Sequence, residues 1–541
     1  MRRTERYSGA KRSCCLEGIA LLETRRGSVD YDDLCSCWFV LSTKEMTMRR
    51  CLLCLCRNNA ETIHSTMPLT ASHLHPIKHT SSHSYQFIRS YVRLSPNEVS
   101  RILRRNEFSA DVNLGSVKSF DTNQLASNTP IEDARSEARC LLTTGLLFGV
   151  FDGHGGPACG QVVAKRLFRY IAASLLPRDV LHNTMNPASQ GSNGKNLLGV
   201  FNDRYDLVED LSKLYEQSFQ EFVKHLAEES DDFRMNSAIE KSFLRLDNDL
   251  SKEAFANGNK NDSKEQKEDS KLALKTMSVA LSGAVACVTH IDGEHLHVAN
   301  CGDCRAVLGS RSSEVEDWVA VPLTMEHNSE NISEVKRILS EHPENESDTV
   351  IRNERLLGQL APLRAFGDYR FKWTLSEIRE LVVPYLGEQA LSSNYLTPPY
   401  LTSRPEVTYH KLRVKDSFLI IASDGLWDML SPSQAVRLVG EHQSGKTVLS
   451  PYKLPENQGH TLGDVHNTLL KRMESFKLKP TDQNAATHLI RHALGGTEHG
   501  IDHNKMSNLL TLPEDTVRLF RDDITVTVIF FDPEYLSQRP L

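Results

Sequence analysis

Four apolar stretches of this chain end or begin at an aspartate: "LLFGVFDGH" at Asp152, "VANCGDC" at Asp303, "FLIIASDG" at Asp424 and "RDDITVTVIFF" at Asp522. One Asp-Gly pair is an ordinary turn. Several at strand mouths would meet if the strands pack side by side, and clustered carboxylates repel unless cations neutralise them. No Cys–His ligand set accompanies them, so the oxygen donors point to hard ions, Mg²⁺ or Mn²⁺. Two such ions about 3.5–4 Å apart can activate a water and clamp a phosphoryl group. His154, two residues past Asp152, adds an imidazole whose ordinary pKa of about 6.5 suits proton transfer at neutral pH. Glu132-Asp133, in "NTPIEDARS", offers a further pair of acids.

The elements that must position these groups can be read from periodicity. Residues 146–151 form an uninterrupted apolar run, predicting a buried strand that the Asp152-Gly153 turn ends. Val163, Leu167, Tyr170, Ile171 and Ser174 recur at helical spacing, predicting a helix within 156–177. Residues 283–310 read as three strands joined by Asp292-Gly293 and Gly302-Asp303 turns, and strands are predicted within 417–430 and 521–532. Sequential antiparallel strands with intervening helices indicate a layered α+β domain. Neither a G-x-G-x-x-G nor a Walker loop occurs, which argues against nucleotide-dependent chemistry. Residues 178–200 read as a polar loop. The mixed-charge "NGNKNDSKEQKEDSK", within 257–271, reads as a solvated insertion.

The chain has 541 residues, 39% hydrophobic and 25% charged, with a net charge of -7. That balance gives no argument for nucleic acid or an anionic membrane as partner. No apolar run approaches the roughly 18 residues of a transmembrane helix. Cys14, Cys15, Cys35, Cys37, Cys51, Cys54 and Cys56 crowd the start, and the other five are scattered, which fits a reducing compartment better than a disulfide framework. Cys51-x-x-Cys54 and Cys301-x-x-Cys304 have zinc-like spacing but no matching second pair. Residues 1–85 are expected to be a disordered leader, with 46–85 resembling an organelle transit segment. There Glu61 is the lone acid against Arg49, Arg50, Arg57 and Lys78. Residues 1–45 are more acidic and fit that pattern less well. The globular domain is expected over 86–541.

The motifs "VFDGHGG", "SGAVACV", "VANCGDCRAVLG", "RAFGDYRFKW", "ASDGLWDML" and "RDDITVTVIFF" occur in the order that characterises the metal-dependent protein serine/threonine phosphatases. By these motifs the chain resembles that family, known as PPM or type 2C. The resemblance implies an α-β-β-α sandwich, two antiparallel sheets flanked by helices with a dinuclear metal site at one end. Carried over residue by residue, Asp152 would bridge two Mg²⁺ or Mn²⁺ ions, with Gly153 contributing its carbonyl. Glu132 would act on one side, mainly through water, with Asp133 beside it. Asp424 and Asp522 would hold the other ion. Asp303 would join Asp424 at a weaker third ion, and His154 would protonate the leaving alkoxide. Two positions depart from the family pattern. Asn128 stands where most members carry a phosphate-gripping arginine, and Val285 replaces a usual threonine.

The segments "NQLASNTPIEDARS", "KRLFRYIAASLLP", "FLRLDNDLS", "TPPYLTSRPEVTYHKLR" and "DQNAATHLIRHALG" resemble the branch of the family that acts on mitochondrial pyruvate dehydrogenase. That branch also lacks the arginine. The resemblance implies the mitochondrial matrix and a phosphorylated pyruvate dehydrogenase α subunit as substrate. It also implies docking on the lipoyl domain of the dihydrolipoyl acetyltransferase core, with Ca²⁺ at the docking surface, and a regulatory subunit. "DNDLSKEAF" lacks the glycine of an EF-hand loop, so any Ca²⁺ site would be irregular or jointly formed. Two other readings stay open: a phosphatase with a different phosphoprotein target, and a docking scaffold without activity. Without its arginine the enzyme is expected to act weakly on small phosphate esters unless another basic side chain replaces it from elsewhere.

Overall fold

The structure, a computed structural model, describes residues 93–538 except 186–195, 204–208, 230–232, 259–265, 312–316, 392–393, 450–460, 476–480 and 498–499. The leader and its transit-like segment lie outside the described residues. Two antiparallel sheets organise the rest. The first runs β1 (Phe108–Leu114), β2 (Val117–Leu125), β17 (Ile524–Phe531), β14 (Asp416–Ala422), β8 (Arg305–Arg311) and β9 (Trp318–Pro322). The second runs β13 (Glu406–Lys411), β7 (His295–Cys301), β6 (Gly283–Asp292), β4 (Leu146–His154), β3 (Ala134–Cys140) and β5 (Leu198–Val200), with β12 (Phe366–Gly367) pairing on β6. Two short hairpins, β10 (Ile351–Arg352) with β11 (Arg355–Leu356) and β15 (Gly496–Thr497) with β16 (Gly500–Ile501), complete the strands.

The period of two explains why apolar runs without a polar face became central strands. In β17, Ile529 and Phe531 join the core between the sheets. Ile524, Val526, Val528 and Phe530 pack on the other side, with Leu489 and Ile490 of the helix Ala485–Gly495. In β14 the same alternation sends Leu419 and Ile421 one way and Phe418, Ile420 and Ala422 the other. The sheets meet where Phe120 of β2 and Phe148 of β4 stack edge to face, ring centroids 5.1 Å apart. After α1 (Pro96–Leu103), α2 (Ala158–Ser174) lies on the outer side of the second sheet and places Phe168 against Phe151, centroids 6.3 Å apart. The order of layers is therefore helix, sheet, sheet, helix: the expected α-β-β-α sandwich.

Three local readings differ from the structure. Asp152-Gly153 does not end β4, because pairing with β6 continues through His154 opposite Gly283. The stretch 283–310 is three strands, but β7 and β8 belong to different sheets, so Gly302-Asp303 crosses between layers rather than closing a hairpin. The stretch 178–200 contains the helix α3 (Arg178–Met185) and β5, with 186–195 outside the described residues. Beyond it come α4 (Glu209–Glu228), α5 (Met235–Gly258) and α6 (Gln266–Leu281), the last two reaching into 257–271 from either side.

Candidate active site

Strand pairing builds the site from its histidine outward. His154 lies opposite Gly283 on β6, and β12 places Gly367 opposite the same glycine from the other side. Asp368 follows directly, in a left-handed conformation with φ +50°. Its buried carboxylate hydrogen-bonds His154 Nε2. A Cβ on Gly283 would overlap both partners, so only glycine lets the two side chains meet across β6. Burial alone would push the imidazole down, but the Asp368 charge outweighs it and holds His154 above the ordinary 6.5. Asp368 is itself fixed. Its N–H donates to Ser282 O at 3.0 Å, and Gly367 N–H donates to Asp247 Oδ1 of α5 at 3.0 Å. Lys372 Nζ spans Asp247 Oδ1 and Oδ2 at 2.9 and 2.8 Å and reaches Ala365 O at 2.8 Å.

Three of the strand-mouth aspartates, Asp152, Asp303 and Asp424, converge. Burial drives the Asp152 carboxyl well above the ordinary carboxylate range, and Asp424, Asp133 and Asp303 reinforce it as like charges. Asp303 is pushed up to about 7 by burial and then by Asp424. Glu132 is also raised by burial, although its carboxylate accepts from Gly156 N–H at 2.6 Å, beside the start of α2. A Cβ on Gly153 would overlap the Glu132 carbonyl oxygen, so glycine lets the β4 backbone press against the Glu132 segment. Asp424 opens the one-turn helix Asp424–Trp427 after β14, and its Oδ1 is buried with no hydrogen-bond partner among the described residues.

The remaining acids take other roles. Asp133 is 1% exposed and accepts from Ser423 Oγ at 2.8 Å and from Thr525, which braces β3 against β14 and β17. Burial, then the Asp523 charge, pushes it up to about 8. Asp522 pairs with the Arg518 guanidinium, and its Oδ1 accepts from Asp523 N–H at 2.7 Å. Its buried neighbour Asp523 organises the loop before β3. Asp523 Oδ1 accepts from the N–H of Ser127 and from Asn128 N–H at 2.8 Å, and its Oδ2 accepts from Glu132 N–H at 2.9 Å. Asn128 Nδ2 also donates to Asp523 Oδ2, at 3.0 Å. Asp368 and Asp523 were both missed as site residues by sequence reasoning. Each lay in a quoted motif beside a glycine or an aspartate, but only strand pairing reveals its partner.

Among the described residues, no three Asp, Glu, His or Cys side chains already stand in a metal-gripping arrangement. The donor set nevertheless suits hard divalent cations. Asp152, Asp303 and Asp424 are oxygen donors in one region, where Asp424 and Asp303 burden Asp152 and Asp424 burdens Asp303, and Asp424 Oδ1 has no hydrogen-bond partner among the described residues. A divalent charge would relieve both. The acids of "DNDLSKEAF" are spent internally: Asp247 on Lys372, Asp249 on Tyr170 at 2.8 Å and Glu253 on Arg166 at 2.7 Å. They form no calcium loop but stitch α5 to α2 and to the Asp368 segment.

Comparison with known proteins adds a family. The model for protein phosphatase 2C matches residues 195–458, a stretch that includes Asp303 and Asp424. A mitochondrial pyruvate dehydrogenase phosphatase 1 from Bos taurus is 42% identical over 485 residues, 84% of this chain and 86% of that protein. A mitochondrial pyruvate dehydrogenase phosphatase 2 from Homo sapiens is 42% identical over 488 residues, 85% of this chain and 87% of that one. A protein phosphatase 2C homolog from Schizosaccharomyces pombe is 33% identical across 84% of this chain and 89% of its own length.

Proposed function

The chain belongs to the protein phosphatase 2C family of metal-dependent phosphatases, and from that premise we propose that it removes phosphate from serine of pyruvate dehydrogenase in the mitochondrial matrix, restoring its activity. The observation that carries the substrate is the 42% identity, spread over 84% of the chain, to a phosphatase named for it. The reaction is hydrolysis. Water attacks phosphorus in line with the serine oxygen, the P–O bond to serine breaks, and serine leaves as an alcohol with inorganic phosphate released.

Asp152, the Gly153 carbonyl, Asp424 and Asp522 are the groups we assign to two Mg²⁺ or Mn²⁺ ions, with Glu132 acting through water and Asp303 at a weaker third ion. When bound, such ions supply an acidified water and neutralise phosphoryl charge. His154 is the acid for the serine oxygen. Asp368 fixes the ring, holds its proton and keeps it oriented from behind β6, as the carboxylate of a catalytic dyad does. Asp133 and Asp523 shape the walls rather than the reaction. Docking on the lipoyl domain, a Ca²⁺ at that surface and a regulatory subunit belong to the same proposal and draw their support from the resemblance.

The test compares two substrates. The full chain, with Mn²⁺ or Mg²⁺, is offered phosphorylated pyruvate dehydrogenase on its core and an unrelated phosphoserine protein. Cation-dependent release of phosphate, strongly favouring the first, is expected. Equal rates on both would replace this reading with the general phosphatase, and no release from either would leave only the scaffold.

A further inference from the structure

Position 128 leaves a gap in the substrate site. A phosphoserine brings negative charge into a region already lined by carboxylates, and the family's arginine is absent. Asn128 does not fill the gap, because its backbone N–H and its Nδ2 are both held by Asp523. A basic side chain that replaces the arginine would face the phosphate beside the metals, and cations among the described residues can be compared. Arg364 is bound to Glu334 at 2.7 Å, and Lys372 to Asp247 at 2.8 Å. Arg305 is paired with Glu326 and lies over the Trp427 ring. Arg521 is buried and donates to Ala126 O at 2.6 Å, bracing the loop before β3.

Arg518 differs. It follows the one-turn helix Glu514–Val517, and its side chain is 42% exposed. Its ionic partner is Asp522, a residue assigned above to the metals. Its charge also reaches Glu132. Asp523 connects these positions, since it follows Asp522 in the chain and binds the backbone of both Asn128 and Glu132. Arg518 thus stands beside Asp522 and within electrostatic reach of Glu132, next to the loop whose Asn128 and Glu132 backbone Asp523 binds.

We propose that Arg518 is the phosphate-binding arginine of this enzyme, exchanging its contact with Asp522 for the phosphoryl oxygens of the substrate. The inference rests on the phosphatase reading above. A planar guanidinium can grip two phosphoryl oxygens at once, which an ammonium cannot. That geometry predicts a loss on substitution by lysine as well as by alanine.

The experiment uses the full chain saturated with Mn²⁺. KM and kcat for p-nitrophenyl phosphate are measured alongside calorimetric affinity for inorganic phosphate and for Mn²⁺ itself. Arg518→Ala should weaken phosphate and raise KM by about 10-fold or more, the worth of a charge-assisted contact, with most of the loss in KM. Arg518→Lys should recover part of it. Asn128→Arg added to Arg518→Ala should restore phosphate affinity, which a merely structural Arg518 would not allow. Phosphate affinity and KM within twofold of wild type in Arg518→Ala would overturn the assignment. So would a change in Mn²⁺ affinity alone, because Arg518 would then serve only Asp522. If the alanine variant fails to fold, Arg518→Lys and Arg518→Gln carry the same comparison. A wild-type chain that binds phosphate but hydrolyses nothing would sink the phosphatase reading instead.

Discussion

Asp152 sits among like charges, and its substitution should separate stability from activity. Asp152→Asn removes one member of a mutually repelling group, so the metal-free protein should melt higher, by about 1 °C per kcal/mol relieved in a domain of this size. The same change should abolish most of the melting-temperature gain on adding Mn²⁺ and lower turnover by about 100-fold or more. Melting curves in chelator and in Mn²⁺ check this; an unchanged Mn²⁺ gain would remove Asp152 from the metal site. Asp368→Asn tests the His154 pair. Loss of the orienting carboxylate should cost about 10–100-fold on phosphoserine peptide, whose leaving group needs a proton. The loss should be far smaller on p-nitrophenyl phosphate, whose leaving group does not. Equal losses on both would mean Asp368 only supports the fold.

Two carboxylates act at the scale of elements by joining pieces of the fold. Asp247 joins α5 to the Asp368 segment, and Glu334 joins the helix Ile332–Glu341 to Arg364, just before β12. Burial alone would raise Glu334, but its bonds to Arg364 and Arg337 hold it down to about 2, against an ordinary 4.5. A depressed carboxyl stabilises fully above its unfolded pKa, and the benefit fades as pH falls through the folded value. Glu334 should therefore contribute roughly 3 kcal/mol at neutral pH, lost progressively between about pH 4.5 and 2. Glu334→Gln should lower the midpoint of urea unfolding at pH 7, and wild type and variant should converge toward pH 2. A gap that stays constant with pH would show that the charge is not what Glu334 contributes.

The whole molecule works because two sheets face each other. Asp152 belongs to one sheet and Asp424 and Asp522 flank strands of the other, while Asp303 lies on the crossing between them. Sliding the sheets apart would disperse the acids without breaking a strand. The proposed leader belongs to this scale too, as an address read by import. A reporter fused behind residues 46–90 is expected to enter mitochondria, because basic, acid-poor segments are drawn in as transit peptides. Diffuse cytosolic fluorescence would count against the matrix assignment.

The residue pattern by itself determined the central strands and the layered α+β class, although β4 runs on past Asp152. Burial of an apolar run and exposure of the residue that ends it are local matters, written in a few consecutive positions. It also carried Asp152, Asp303, Asp424 and Asp522 as a group, with His154 beside the first, before any packing was known. Tertiary structure alone decided that Asp368 stands behind His154, because two residues 214 apart meet only through pairing on β6. Pairing and packing likewise turned Asp523 into the anchor of the Asn128 loop and made Asp133 a brace to Ser423 and Thr525. Each outcome depends on which neighbour a side chain finds across the fold. Local sequence constrains such contacts only through the register of the strands that carry them.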